Sequence, residues 1–150
     1  MPQSLASIPI HFIWSTKDRH PFIKSEIQAE LYKYMAGIFR AHESPALIIN
    51  GTENHIHALS IISRKITVAK LVEQVKKSSS KWVKTQGTLY QKFYWQHGYA
   101  AFGIGQSNID DLKAYIANQE EHHHRRTFQE EYIAFLRKYD VEYDERCVWD

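Results

Sequence analysis

Between Pro45 and Ile62 two β-prone runs stand on either side of four turn-forming residues, Gly51-Thr52-Glu53-Asn54. So short a connection joins only antiparallel neighbours, because a parallel crossover needs a dozen residues or more. The chain must therefore carry a hairpin near its middle, Pro45 to Asn50 pairing with His55 to Ile62. Helical patterns flank it. Upstream, Ser25 with Gln28 reads as a capping box leading into Ile27, Leu31, Tyr34, Met35 and Ile38 at helical spacing. Downstream, Thr67 to Thr85 places Val68, Leu71, Val72, Val75 and Trp82 on one side, with Ser78-Ser79-Ser80 as its weakest stretch by propensity.

Ile8 to Trp14 reads as a first strand and Trp95 to Ile104 as a fourth, punctuated by glycine. Ser107 with Asp110 opens a helix running to about His124, and Thr127 with Glu130 opens a last one through Phe128, Tyr132, Phe135, Leu136 and Tyr139. The expected fold is α+β: a ferredoxin-like antiparallel sheet of order β-α-β-β-α-β with appended C-terminal helices, one domain over residues 1–150. In that order the second and third helices cover one face or edge of the sheet, leaving the other free to hold a site. The tail Val141 to Asp150, with Tyr143 and Trp149, is expected to dock on a surface.

A chain of 150 residues with 43% hydrophobic composition can bury about two-thirds of its unfolded surface. No window approaches the roughly 18 apolar residues of a membrane span, and no leader pattern opens the chain, so a soluble, cytoplasmic protein with no membrane partner is expected. The single Cys147 has no disulfide or thiolate-site partner. A net charge of +2 does not by itself imply nucleic-acid binding, which depends on clustering.

His55 and His57 stand two apart at the head of the returning strand, so both imidazoles share one face while Ile56 points into a core. With nine histidines in the chain, that spacing arises readily by chance. On the second helix Lys70, Lys77, Lys81 and Lys84 fall within a stripe about 60° wide, either a solvated face or a rail for phosphates. On the helix from Ser107, Tyr115, Gln119 and His122 share one edge. A tyrosine hydroxyl one turn from an amide oxygen suits covalent chemistry at phosphorus, given a metal or base to activate it; a core tyrosine with an ordinary glutamine is the alternative. Of His122-His123-His124 at most one, His122 by the wheel, faces that edge; a surface position competes with a ligand, phosphate-contact or proton-carrier role.

Taken together, His55-Ile56-His57, Trp95-Gln96-His97-Gly98-Tyr99, Tyr115-Ile116-Ala117-Asn118-Gln119 followed by His122-His123, and the closing stretch from Phe128-Gln129-Glu130-Glu131-Tyr132 to Trp149-Asp150 resemble the single-tyrosine HUH transposases, in particular the insertion-sequence-200-like group and its REP-associated relatives. The resemblance runs from about Ile8 to the C-terminus. It implies a divalent metal, Mg²⁺ or Mn²⁺, on His55, His57 and Gln119, and Tyr115 as the nucleophile attacking single-stranded DNA beside a hairpin to give a 5′-phosphotyrosine link. It further implies a homodimer acting at the bacterial nucleoid and recognition of a hairpin, for which the stripe of Lys70, Lys77, Lys81 and Lys84 is the candidate contact, with His122 a further candidate beside the DNA. One departure is Asn54, where relatives often carry an acid that orients the first histidine. Two other functions fit parts of the pattern: a non-catalytic nucleic-acid-binding module, and a metal-dependent nuclease that uses water.

Overall fold

The computed structural model describes residues 2–150. Its central sheet has the order β2-β3-β1-β4, with every neighbouring pair antiparallel. β1 is Pro9–Ser15, β2 Ala46–Gly51, β3 His55–Ile61 and β4 Ala100–Gly103. With α1 (Ser25–Ala41) after β1 and α2 (Val68–Lys84) after β3, this is the ferredoxin-like α+β arrangement. α3 (Ile109–Ala117), α4 (Gln119–His123) and α5 (Phe128–Lys138) follow.

Strand alternation builds two cores. Phe12, Trp14, Ile56 and Ala58 point to one side, where Leu31, Met35 and Phe39 of α1 and Leu71, Val72 and Val75 of α2 cover them. Ile13, Leu59 and Phe102 point to the other, under Ile116 of α3 and Phe128, Tyr132, Phe135 and Leu136 of α5. Neither face is left open, in contrast to the expected free face. α1 and α2 share the first, and the appended helices close the second over the residues that alternate with the first core.

The two central strands hold the register that matters for the site: Ser15 lies opposite His55, Trp14 opposite Ile56 and Ile13 opposite His57. The hairpin turn is held by Thr52 N–H donating to the His55 carbonyl at 3.1 Å. A Cβ on Gly51 would collide with the His55 backbone, so this turn requires glycine.

Several elements differ from their sequence expectation. The fourth strand is four residues rather than ten. Its N-terminal part is satisfied otherwise: Trp95 meets Thr16 in one isolated bridge, the Lys76 ammonium donates to the carbonyls of Gln96 (2.7 Å), His97 (3.2 Å) and Gly98 (2.6 Å), and Gly98 N–H donates to the Asp150 carbonyl (2.8 Å). Lys24, not Ser25, stands at the N-cap position of α1, without a side-chain cap, and Gln28 donates its amide to the Ile23 carbonyl (3.1 Å). α3 begins after a 3₁₀ turn, Gln106–Asn108, without a side-chain cap. The helix expected to run to His124 breaks at Asn118 (φ −104°, ψ 33°). There the Asn118 side chain donates to the Ala114 carbonyl (3.1 Å), and Asn50 of β2 donates to the carbonyls of Ile116 (2.9 Å) and Ala117 (3.3 Å) that the break frees. The Thr127–Glu130 capping box is formed, and Trp149 of the tail packs against Phe128 and Tyr132.

Candidate active site

His55 and His57 are fully buried between the sheet and the appended helices. The Nδ1 of His55 lies 2.8 Å from Asn54 Oδ1 and 3.0 Å from Thr52 Oγ1. An amide oxygen only accepts, so Nδ1 carries the proton and the lone pair sits on Nε2. Asn54 thus orients His55 as an acid at that position would.

Burial pulls the His55 imidazole down to about 3, with the neighbouring His57 acting in the same direction against Glu131, so the ring is neutral. Its Nε2 lone pair faces Gln119 Oε1 at 3.1 Å and Glu131 Oε1 at 3.5 Å. Three acceptors converging in a buried space repel one another unless a cation sits among them. The Gln119 Nε2 is buried without a partner, which marks the amide as aimed by its oxygen. Nδ1 of His57 lies 2.8 Å from Nε2 of His11, and its Nε2 lies 2.9 Å from Glu131 Oε1. The ligand atoms of His55, His57 and Glu131 all fall within 4.8 Å of one another, so these residues fit a divalent ion.

Glu131, on α5, has no exposed surface. Burial alone would raise its carboxyl, but hydrogen bonds with His123 (3.2 Å) and His57 hold it well below the usual carboxylate range. Its two oxygens face different ways. Oε1 meets the histidines, while Oε2 accepts a hydrogen bond from the Tyr115 hydroxyl. Burial and the Glu131 carboxylate raise the Tyr115 phenol above its ordinary value, and Arg126, with Nη2 3.4 Å from the hydroxyl oxygen, opposes them.

The structure thus brings His55, His57, Gln119 and Tyr115 together within one chain. His122 stacks on Tyr115 with ring centroids 4.2 Å apart. The break at Asn118 also turns His123 inward, to 4.5 Å between its ring and that of His55, which a single unbroken helix did not allow for. The lysine stripe is elsewhere. α2 packs on the opposite face of the sheet, where Lys77 and Lys81 are exposed, Lys70 pairs with Glu73 (3.6 Å) and Lys84 lies over the Tyr94 ring (4.2 Å).

Three residues at the site were not singled out from sequence: Glu131, His11 and Arg126. Two left a signal. Glu131 stands three residues after Phe128 and four before Phe135, a charge inside the apolar stripe of its helix, and His11 interrupts an otherwise apolar strand. Arg126, next to an N-cap, left none.

The family described as "Transposase IS200 like" matches residues 4–119. No curated protein matches. Among solved structures, a transposase candidate from Deinococcus radiodurans R1 superposes with a TM-score of 0.62 at 17% identity, over 79% of this chain and 98% of that one. A REP-associated tyrosine transposase bound to a REP hairpin superposes with a TM-score of 0.53 at 11% identity, over 79% of this chain and 70% of that one. At these identities the two structures speak to the fold, which they share with it, and the family match covers well over half of the sequence. The chain belongs to the IS200-like transposase family.

Proposed function

We propose that this chain cleaves and rejoins single-stranded DNA beside a hairpin, with Tyr115 forming a 5′-phosphotyrosine link and freeing a 3′-hydroxyl. The observation that carries the reading is the bridge made by one carboxylate. Glu131 Oε2 accepts from the Tyr115 hydroxyl while Oε1 lies 2.9 Å from His57 Nε2, so the nucleophile is tied to the histidine centre.

His55, His57 and Gln119 would hold a divalent ion, Mg²⁺ or Mn²⁺, with Glu131 as a further ligand. Such an ion supplies Lewis-acid polarisation of a phosphate oxygen. The residues of the chain do the rest. Asn54 and Thr52 fix the His55 ring, the Asn50 clasp on α3 sets the height of Tyr115 over the sheet, and the Phe135 edge and His122 face confine the tyrosine ring. In this reading Lys77 and Lys81 contact duplex phosphates on the α2 face, consistent with the hairpin seen on the REP-associated relative. In this reading Tyr115 acts on the histidines of its own chain, within the homodimer expected of the family.

The test is incubation with Mn²⁺ and a labelled, hairpin-bearing single strand from the DNA flanking the gene. A covalent adduct is expected, and Tyr115→Phe is expected to abolish it. Cleavage that survives Tyr115→Phe would point instead to water as the nucleophile, and binding without cleavage to a non-catalytic module.

A further inference from the structure

Arg126 has no assigned task in the reading above, yet its Nη2 approaches the Tyr115 hydroxyl oxygen at 3.4 Å. Among the described residues its guanidinium forms no ion pair within 4.0 Å, whereas its exposed neighbour Arg125 reaches Glu121 at 3.8 Å. The nearby carboxylate of Glu131 is already engaged by His57, His123 and Tyr115. Arg126 is also half-buried. A cation drawn partly out of water without a carboxylate is costly, and its position is explained if an anion joins it.

The surroundings fit a nucleic-acid strand. Arg126 lines two clefts at once. One, of about 580 Å³ between α3 and α5, is also bordered by Tyr115, Leu112, Lys138 and Tyr139. The other, of about 500 Å³, is bordered by His123, His124 and the hairpin turn at Thr52 to Asn54. The guanidinium therefore stands where the two clefts meet, beside the hydroxyl.

We propose that the Arg126 guanidinium binds the scissile phosphate of the single strand and holds it against the Tyr115 hydroxyl, the neighbouring nucleotide lying in the cleft between α3 and α5. This rests on Tyr115 being the nucleophile. The planar fork of an arginine matches two non-bridging phosphate oxygens. As the Tyr115 oxygen forms its bond to phosphorus, the bond from phosphorus to the 3′ oxygen breaks. The phenol gives up its proton to solvent and the departing 3′ oxygen takes one from solvent on the opposite side of phosphorus, so no net proton is consumed. Charge gathers on the non-bridging oxygens, and Arg126 donates to them.

The test uses the strand whose cleavage position has been mapped by its Tyr115 adduct, synthesised with either an ordinary phosphate or an uncharged methylphosphonate at that position. Binding is measured by fluorescence anisotropy on Tyr115→Phe protein, which cuts neither strand, with Arg126 intact or changed to Gln. With Arg126 intact, the phosphate strand is expected to bind about tenfold more tightly than the methylphosphonate strand. Arg126→Gln should weaken binding of the phosphate strand by about tenfold and of the methylphosphonate strand by less than about twofold, with Arg126→Lys in between. An equal loss on both strands would assign Arg126 to general attraction or to positioning Tyr115, and no loss on either would remove it from phosphate binding. Either result overturns the proposal. Absence of any adduct in the mapping step is a different failure: it removes the Tyr115 reading, and this proposal with it.

Discussion

At the scale of single residues, the site depends on which ring nitrogen bears a proton. His57 offers Nε2 to the centre, so a bound ion requires the proton on Nδ1, where His11 Nε2 receives it at 2.8 Å. The fully buried His11 has an Nδ1 with no partner, and burial, followed by the nearby His57, holds its pKa well below the ordinary value, so it stays neutral and can switch tautomer. His11→Leu keeps the apolar volume and removes the acceptor. Mn²⁺ affinity measured by calorimetry should fall about tenfold, the usual effect of losing a group that orients a ligand, while the fold is retained; unchanged affinity would exclude this role. Strand period put His55 and His57 on one face, but the spacing alone arises readily by chance and took its meaning from Tyr115 and Gln119 some sixty residues on. Glu131 was hidden because period reading weighs apolar positions, and a buried carboxylate makes sense only beside partners from other elements.

At the scale of elements, the serine run in α2 looked like a defect of helix propensity and has another role. Ser79 is fully buried, donates to the Val75 carbonyl at 2.6 Å and accepts from Trp95 Nε1 at 3.0 Å. Ser79→Ala raises local helix propensity but strands the indole N–H, so chemical denaturation should show a net loss of about 1–3 kcal/mol; a gain would contradict it. One turn earlier, burial draws the Lys76 ammonium down to about 8 from 10.5, even though three carbonyls accept from it. Between those values the unfolded chain binds a proton that the folded chain has shed, so the contribution of this lysine to stability rises with pH across the window. Lys76→Met should flatten the pH dependence of stability between about 8 and 10.5 relative to the parent chain. Helix positions were legible from period and caps, whereas the break at Asn118 was not. It depends on Asn50, on a distant strand, taking the carbonyls of Ile116 and Ala117.

At the scale of the whole molecule, the sheet separates two surfaces. The α2 face carries the exposed lysines, and the opposite face encloses the histidine centre under α3, α4 and α5. The order of elements from β1 to β4 gave the ferredoxin-like topology directly, since each of those strands and helices left a local signal in the sequence. The closure of the second face was not legible because it comes from long-range docking of α5 and the tail, with Trp149 against Phe128 and Arg19 Nη1 donating to the Trp149 carbonyl at 2.8 Å. As Tyr115 reaches the histidines of its own chain, mixing Tyr115→Phe protein with His57→Ala protein should not restore adduct formation. Restoration would show a site shared between chains.

The most direct test of the account is mass spectrometry of the peptide containing Tyr115 after reaction with a hairpin-bearing single strand and Mn²⁺. The account predicts a 5′-phosphate-linked DNA adduct on Tyr115 that does not form when EDTA withholds the metal from the reaction. Strand cleavage with Tyr115 unmodified would contradict it.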